Sequence, residues 1–345
     1  MTLPQEGRPG EGRLHTRVAM GPGGEFDLIR RLIGAEVSLP RDVVVGSGDD
    51  CTVLEGGWVI STDLSVEGVH FRREWISLEE AGFRATAGAL SDLAAMAAGP
   101  VGTLISLALD PSRVQDDAEA VQAGAEAACE EAGAPILGGD LARSPGPLFL
   151  SLTVIGRTTS VVSRAGTRAG DDLWVTGHLG ASAGAVALWQ VGQPPSPPLR
   201  EAFVAPRPRI REALWLADRA SLHGLIDLSD GLGGDAGHLA AAAGLSLILQ
   251  EDRIPVHPAL YDAFPASATR LNLALSGGED YELCFTTPPG ALDDWVAPFQ
   301  DTFGIPLTKV GWAAPGTGVF LEGGDEGRRP VSRGGFDHFA GEETG

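Results

Sequence analysis

Lysine is almost absent from this sequence. Lys309 is the single lysine in 345 residues, and the other 24 cationic side chains are arginines. No lysine sits in a glycine-rich loop, which excludes a P-loop, since that loop sets its lysine on the phosphates. A Schiff-base mechanism is disfavoured for want of the same amine. Cysteine is scarce too. Cys51, Cys129 and Cys284 are odd in number and far apart, with no CxxC pair and no disulfide framework. They read as small buried hydrophobes of a protein kept in a reducing cytoplasm. No apolar run approaches the roughly 18–20 residues that a membrane helix needs. The opening stretch MTLPQEGRPGEGRLHTRVAMGPGG lacks the hydrophobic segment of a secretory signal. Positive charge as a whole is short: 25 Lys+Arg against 46 Asp+Glu leave a net charge of −21. Such a chain is a poor partner for nucleic-acid phosphates and a reasonable one for cations.

What is present suits a packed protein. Hydrophobic residues make up 43% and charged residues 21%, and the length fits two domains. Residues 1–22 are rich in Gly, Pro and Arg and are expected to be a disordered extension. Met20 precedes the first convincing element, so residues 1–19 read as unstructured or as an upstream start wrongly assigned. EFDLIRRLIG follows as a helix. Ser77 with Glu80 forms a capping box that opens a long helix through ALSDLAAM, expected to stop at Gly99-Pro100. Strands and helices then alternate, giving an α/β or α+β class in two units, 23–157 and 158–340. QPPSPPLREAFVAPRPR is expected to be an extended loop, because Pro fixes φ and lacks an N–H. DGLGGD is expected to be a loop as well. No repeat of 20–50 residues is visible.

Five segments share one design, an expected apolar strand running into an acidic residue beside Gly or a hydroxyl. They are VVVGSGDD (Asp49, Asp50), WVISTD (Ser61, Thr62, Asp63), PILGGD (Gly139, Asp140), LIDLSDG (Asp227, Ser229, Asp230) and ALSGGED (Glu279, Asp280). A sixth carboxylate, Asp92, sits in an apolar helix among Ala, Leu and Met. Any one of them alone reads as a turn former or helix cap. Together they exceed the nearby cations, and an unpaired buried carboxylate costs several kcal/mol. Bound Mg²⁺, a hard ion that takes carboxylates, waters and phosphate oxygens, answers that deficit. The glycine loops beside these residues let backbone N–H groups approach a polyanion. Arg164, Arg143 and Arg84 are candidate phosphate partners, with solvated surface charge as the alternative. His70, just after the Asp63 strand, is either structural or a substrate contact.

GEFDLI, GSGDDCTVL, ISTDLSVEGVHF, LSDLAAM, ILGGD, SRAGTRAGD, IDLSDGL and LSGGEDYELCF occur here in one order. Together they resemble the thiamine-monophosphate kinase family of the aminoimidazole-ribonucleotide-synthetase-like superfamily, from about Gly24 to Phe339. The resemblance implies two α/β domains, a homodimer pairing its N-terminal sheets, and ATP with several Mg²⁺ in the cleft between domains. Carried over by position, it implies Asp50, Ser61, Thr62, Asp63, Asp92, Asp140, Asp227 and Asp230 as metal ligands. Gly139, Asp140, Arg164 and Ser229 would meet ATP, and His70, Glu279 and Phe336 thiamine monophosphate. The chain departs from the family pattern at Ala89, Arg84 and Phe336, where Asn, Lys and Tyr or Trp are usual. No covalent nucleophile is expected. A phosphate acceptor, with its second pKa near about 6, is already deprotonated and needs no general base. The alternatives are another ATP-using synthetase of the superfamily and a non-catalytic, metal-dependent nucleotide-binding module. A selenophosphate synthetase would need a reactive Cys and a Lys near the N-terminus, and the sequence offers no such Lys.

Overall fold

A computed structural model describes residues 18–20, 24–33, 39–323 and 327–331. Helix α1 (Gly24–Ile33) precedes β1 (Val43–Val45), β2 (Thr52–Leu54) and β3 (Trp58–Val66). Then come α2 (Leu78–Ala95), β4 (Gly99–Leu109), α3 (Val114–Ala132), β5 (Ile136–Arg143) and β6 (Phe149–Arg157). The six strands form one sheet in the order β1-β2-β3-β6-β4-β5. Only the β4–β5 pair is parallel, and α3 makes the crossover that such a pair requires. Along β6, Leu150, Leu152 and Val154 are fully buried while Ser151 and Thr153 are not. This period of two turns one face of the sheet onto α2.

The capping box is in place. Ser77 Oγ accepts from the Glu80 N–H at 3.1 Å, and Glu80 Oε2 accepts from the Ser77 N–H at 2.9 Å. The far end of α2 differs from the expectation. The helix stops at Ala95, the chain reverses through Ala97 at φ 47°, and Gly99-Pro100 already belongs to β4. Pro100 fits there because it is the second residue of the strand, where the register with β6 slips before Gly102.

The second half contributes β7 (Asp172–Thr176), α4 (Ala181–Gln190), α5 (Pro197–Val204), α6 (Ile210–Arg219) and β8 (Leu225–Asp227). It continues with α7 (Leu232–Ala243), β9 (Ser246–Gln250), α8 (Leu260–Ala263), α9 (Ser267–Ser276) and β10 (Leu283–Thr287). It closes with α10 (Val296–Phe303), β11 (Leu307–Ala314), β12 (Gly318–Glu322) and β13 (Arg328–Pro330). These strands make a second sheet in the order β13-β12-β9-β11-β7-β10-β8. Every residue of β7 and β10 is buried, as befits strands covered on both faces.

Three local expectations are corrected. The Pro-rich segment is not all extended: Pro197 and Pro198 open α5, at helix positions where the missing N–H has no partner to lose. LGGD of DGLGGD forms the first turn of α7, with Gly231 at φ 102° as the bend before it. Ala274-Leu275-Ser276 ends helix α9 and is not a strand.

Helix α2 belongs to both halves. It packs on β3 and β6 on one side and on α5, α6 and β8 on the other, and a single apolar core runs across it. Its contact with α3 is backbone to backbone. A Cβ on Gly82 would lie 2.1 Å from the Val121 carbonyl oxygen, and one on Gly124 1.8 Å from that of Glu79. The two glycines therefore set the α2–α3 distance. Gly124→Ala should destabilise the fold by about 1–3 kcal/mol or more through overpacking. Urea denaturation checks this, with exposed Glu130→Ala as a control expected within about 0.5 kcal/mol of wild type.

Candidate active site

Asp50 follows the β1 turn, Asp92 lies in the last turns of α2, and Asp227 ends β8. An oxygen from each falls within 4.8 Å of the others. The alternation of β3 sends Ser61 and Asp63 to the α2 side and Thr62 to the other. Ser61 Oγ donates to Asp92 Oδ2 at 2.5 Å. Asp63, Asp92, Asp227, Ser229 and Asp230 line a cavity of about 930 Å³ between the two sheets. His70 and Glu279 line it too. The structure thus gathers most of the residues that the sequence singled out.

The electrostatics are those of an anion cluster. Burial, then the charges of Asp227, Asp63 and Asp50, push the Asp92 carboxyl well above the carboxylate range. Burial and Asp50 raise Asp227 to about 8. Burial and Asp50 raise Asp49 to about 6, against hydrogen bonds from Ser163 Oγ at 2.7 Å and the Arg164 N–H. Arg164 opposes this by gripping Asp50 with both arms of its guanidinium, Nε at 2.9 Å and Nη2 at 2.6 Å. That one bidentate pair leaves Asp92 and Asp227 far from ionising freely. The donors are all oxygens, which suits a hard divalent cation. Cys51 Sγ donates to the Asp92 carbonyl at 3.3 Å, but burial raises its thiol well above the usual range, so it offers no thiolate. All three cysteines are free and buried, as expected.

The opposite wall is built from the Gly277–Glu282 loop. Its backbone is tied to the end of β8 by Glu279 N–H to Ser229 carbonyl and Tyr281 N–H to Leu228 carbonyl, each 2.8 Å. Glu279 and Tyr281 take left-handed φ values of 69° and 51°. Arg84, with a side chain 3% exposed, donates to Glu279 and to the Phe203 carbonyl and stacks 3.7 Å from the Phe203 ring centroid. It is a buried ion-pair partner and not a solvated charge. Asp280 turns away from the cluster and caps α4, accepting from the Gly180 N–H at 2.8 Å. His70 Nδ1 accepts from the Val66 N–H at 3.1 Å, which puts the proton of the neutral ring on Nε2.

Several expected residues are not brought to this cavity by one chain. Thr62 lies on the outer face of the sheet, its hydroxyl 3.1 Å from that of Thr153. Gly139 and Asp140 are exposed on β5, the edge strand, with β6 and β4 between it and β3. Arg143 is exposed on the same strand, a solvated charge. Phe336 lies outside the described residues. Two neighbours escaped the sequence reading. Asp235 is buried, accepts from the Asp230 N–H at 3.1 Å and is raised by burial and by Asp230. The other is Tyr281, whose phenol packs on Gly88 at the cavity wall.

The anion cluster makes the metal-free fold sensitive to pH. The unfolded chain releases these protons near 3.8, whereas Asp227 in the fold holds its proton to about 8. Across that window the unfolded state binds fewer protons, so stability falls as pH rises. Asp92→Asn should therefore raise the melting temperature in chelator by several degrees at pH 8 and by little near pH 4. The same variant should lose most of the upward shift that a divalent cation gives wild type. Thermal denaturation with and without chelator checks both.

A family model described as AIR synthase related protein, N-terminal domain, matches residues 48–158. The chain is 34% identical over 309 residues to the thiamine-monophosphate kinase of Rhodopirellula baltica, covering 86% of this chain and 91% of the relative. It is 37% identical over 335 residues to the thiamine-monophosphate kinase of Salmonella typhimurium, covering 92% and 98%. A solved structure described as "AaThiL complexed with AMPPCP and TMP" matches with a TM-score of 0.77 at 30% identity, covering 91% of this chain and 96% of that one.

Proposed function

The chain belongs to the thiamine-monophosphate kinase family, and on that premise we propose that it transfers the γ-phosphoryl group of ATP to thiamine monophosphate, giving ADP and thiamine diphosphate. The observation that carries this reading is the meeting of Asp50, Asp92 and Asp227 at one end of a cavity whose other wall holds His70 and Glu279. Anionic oxygens that repel one another in the bare protein are a receptor for Mg²⁺ and the phosphates it accompanies.

Asp50, Asp63, Asp92, Asp227 and Asp230, with Ser61, are the side chains that would hold Mg²⁺. Bound there, the ion would supply charge neutralisation for the phosphates and polarisation of the transferring group. Arg164 and Ser229 serve ATP. His70 offers its Nε2–H to the acceptor, and Arg84 fixes the Glu279 carboxylate that orients it. The acceptor phosphate is its own nucleophile, so the chain contributes position and not a base. The transfer is direct and in line, with no phospho-enzyme.

The working unit is a homodimer. Thr62 and Asp140 share the outer sheet face with Leu64 and Leu104, which are 52% and 37% exposed. A second copy covering that face buries these leucines and gives Thr62, Gly139 and Asp140 a phosphate site to serve. The domains are read as residues 23–157 and 158–340. No described helix is long and apolar enough to cross a membrane. The reaction is read as cytoplasmic, and the acidity of the chain argues against a nucleic-acid partner.

Purified protein with ATP, Mg²⁺ and thiamine monophosphate should yield ADP and thiamine diphosphate in equal amounts, resolved by chromatography. Excess chelator should abolish turnover and added Mg²⁺ restore it. No thiamine diphosphate sinks the assignment, and full turnover in chelator sinks the metal. ATP made chiral at the γ-phosphorus should transfer with inversion. Net retention would mean two successive displacements.

A further inference from the structure

Arg84, Gly88 and Asp92 stand four residues apart on α2 and so lie along one face of the helix. Arg84 takes Glu279, and Asp92 belongs to the carboxylate cluster. Gly88 lies between them and is filled from outside the helix. A Cβ there would sit 2.8 Å from Tyr281 Oη and 3.0 Å from Cζ. The missing side chain is a notch, and the phenol of Tyr281 occupies it.

The phenol is held there with care. Tyr281 adopts φ 51°, a conformation that bulky residues avoid, and Glu279 two residues earlier does the same at 69°. Three separate anchors hold the loop in that state. Glu279 is paired with Arg84, Asp280 caps α4, and the Tyr281 N–H is bonded to the Leu228 carbonyl beside Asp227. The side chains of consecutive residues are thereby sent in three directions, and that of Tyr281 goes to the cavity wall with Gly88 and Asp92.

Packing alone would be served by phenylalanine. The hydroxyl lies at the cavity and has no hydrogen-bond partner among the described residues. Burial, then the charge of Glu279, raises the phenol well above its usual range, so it stays a neutral donor at any working pH. A cation in this place would pair with the carboxylates and compete with the metal. A neutral hydroxyl serves a phosphate without doing so. Tyr281 shares the cavity wall with His70 and Glu279, whereas Arg164, read as serving ATP, does not line it.

We propose that Tyr281 is a substrate-binding residue whose hydroxyl, seated in the Gly88 notch between Glu279 and Asp92, donates a hydrogen bond to the phosphate of the acceptor. The assignment rests on the reading of the chain as a kinase of a phosphate monoester. It adds a donor between the acceptor-orienting carboxylate and the metal cluster.

Steady-state kinetics of Tyr281→Phe test it. Loss of a hydrogen bond to a charged group predicts a KM for thiamine monophosphate raised about tenfold or more. The KM for ATP and the Mg²⁺ dependence should stay within about twofold of wild type, a split that general loosening of the fold would not give. Gly88→Ala, whose methyl takes the place of the hydroxyl, should show the same split. An unchanged KM for thiamine monophosphate in Tyr281→Phe, or equal rises for both substrates, overturns the proposal. If wild type makes no thiamine diphosphate, the kinase reading fails separately. The tyrosine is then judged by titration calorimetry of thiamine monophosphate in Mg²⁺. Binding about tenfold weaker in Tyr281→Phe supports it, and equal binding or none in either protein overturns it.

Discussion

Mutual repulsion among buried carboxylates is the constraint on which the rest of this structure depends. Asp50, Asp92 and Asp227 come from a strand turn, a helix and a strand end, and nothing in their own chemistry draws them together. Packing elsewhere must hold them. The apolar core that crosses α2, the capping box that starts that helix and the glycine contact that seats it on α3 all act to keep one carboxylate-bearing turn in place. The cluster is a local deficit carried by a large body, as expected where a site is shaped for a ligand and not for the fold's own stability.

The charge composition has the same logic. With 46 acidic residues and one lysine, the chain spends its arginines selectively. Arg164 goes to Asp50, Arg84 to Glu279 and Arg209 to Glu282, whose carboxylate also accepts from the Thr176 hydroxyl at 2.6 Å. Arg164 and Arg209 fork onto both oxygens of their carboxylates, and Arg84 divides its arms between Glu279 and the Phe203 carbonyl, directional bonds that a lysine ammonium could not match. Lys309 is set apart, paired with Asp172 at 2.6 Å on the second sheet.

Much of this was legible in the sequence because its signals are local. The capping box at Ser77, the strand periods of β3 and β6, and Asp92 in an otherwise apolar helix each announce themselves within a few residues. The pairing of Asp50 with Arg164, 114 residues apart, could be named only as members of one set. What stayed hidden was tertiary. ALSGGED has the composition of a strand end, yet its first residues finish a helix, since α7 and α4 offer that helix a surface. The prolines of α5 read as loop until their position at the helix start is known. Tyr281 gives no signal, because neither a left-handed backbone at a bulky residue nor a glycine notch 193 residues away is written in local pattern.

The seating of α2 on α3 has one more implication. Backbone contact at Gly82 and Gly124 leaves the helix no freedom to slide, so positions along it become marks on a ruler. From Arg84 to Asp92 is eight residues, about 12 Å of helix axis. One mark locates the carboxylate of Glu279, the next the phenol of Tyr281, the last the carboxylate cluster. The span between the first and last marks is a fixed gauge of molecular length, set by the rise of a helix and not by any side chain that touches the ligand. Under the proposed assignment of the site, a molecule whose head group and phosphate are separated by that gauge engages all three marks at once, while a shorter or longer one gives up an end.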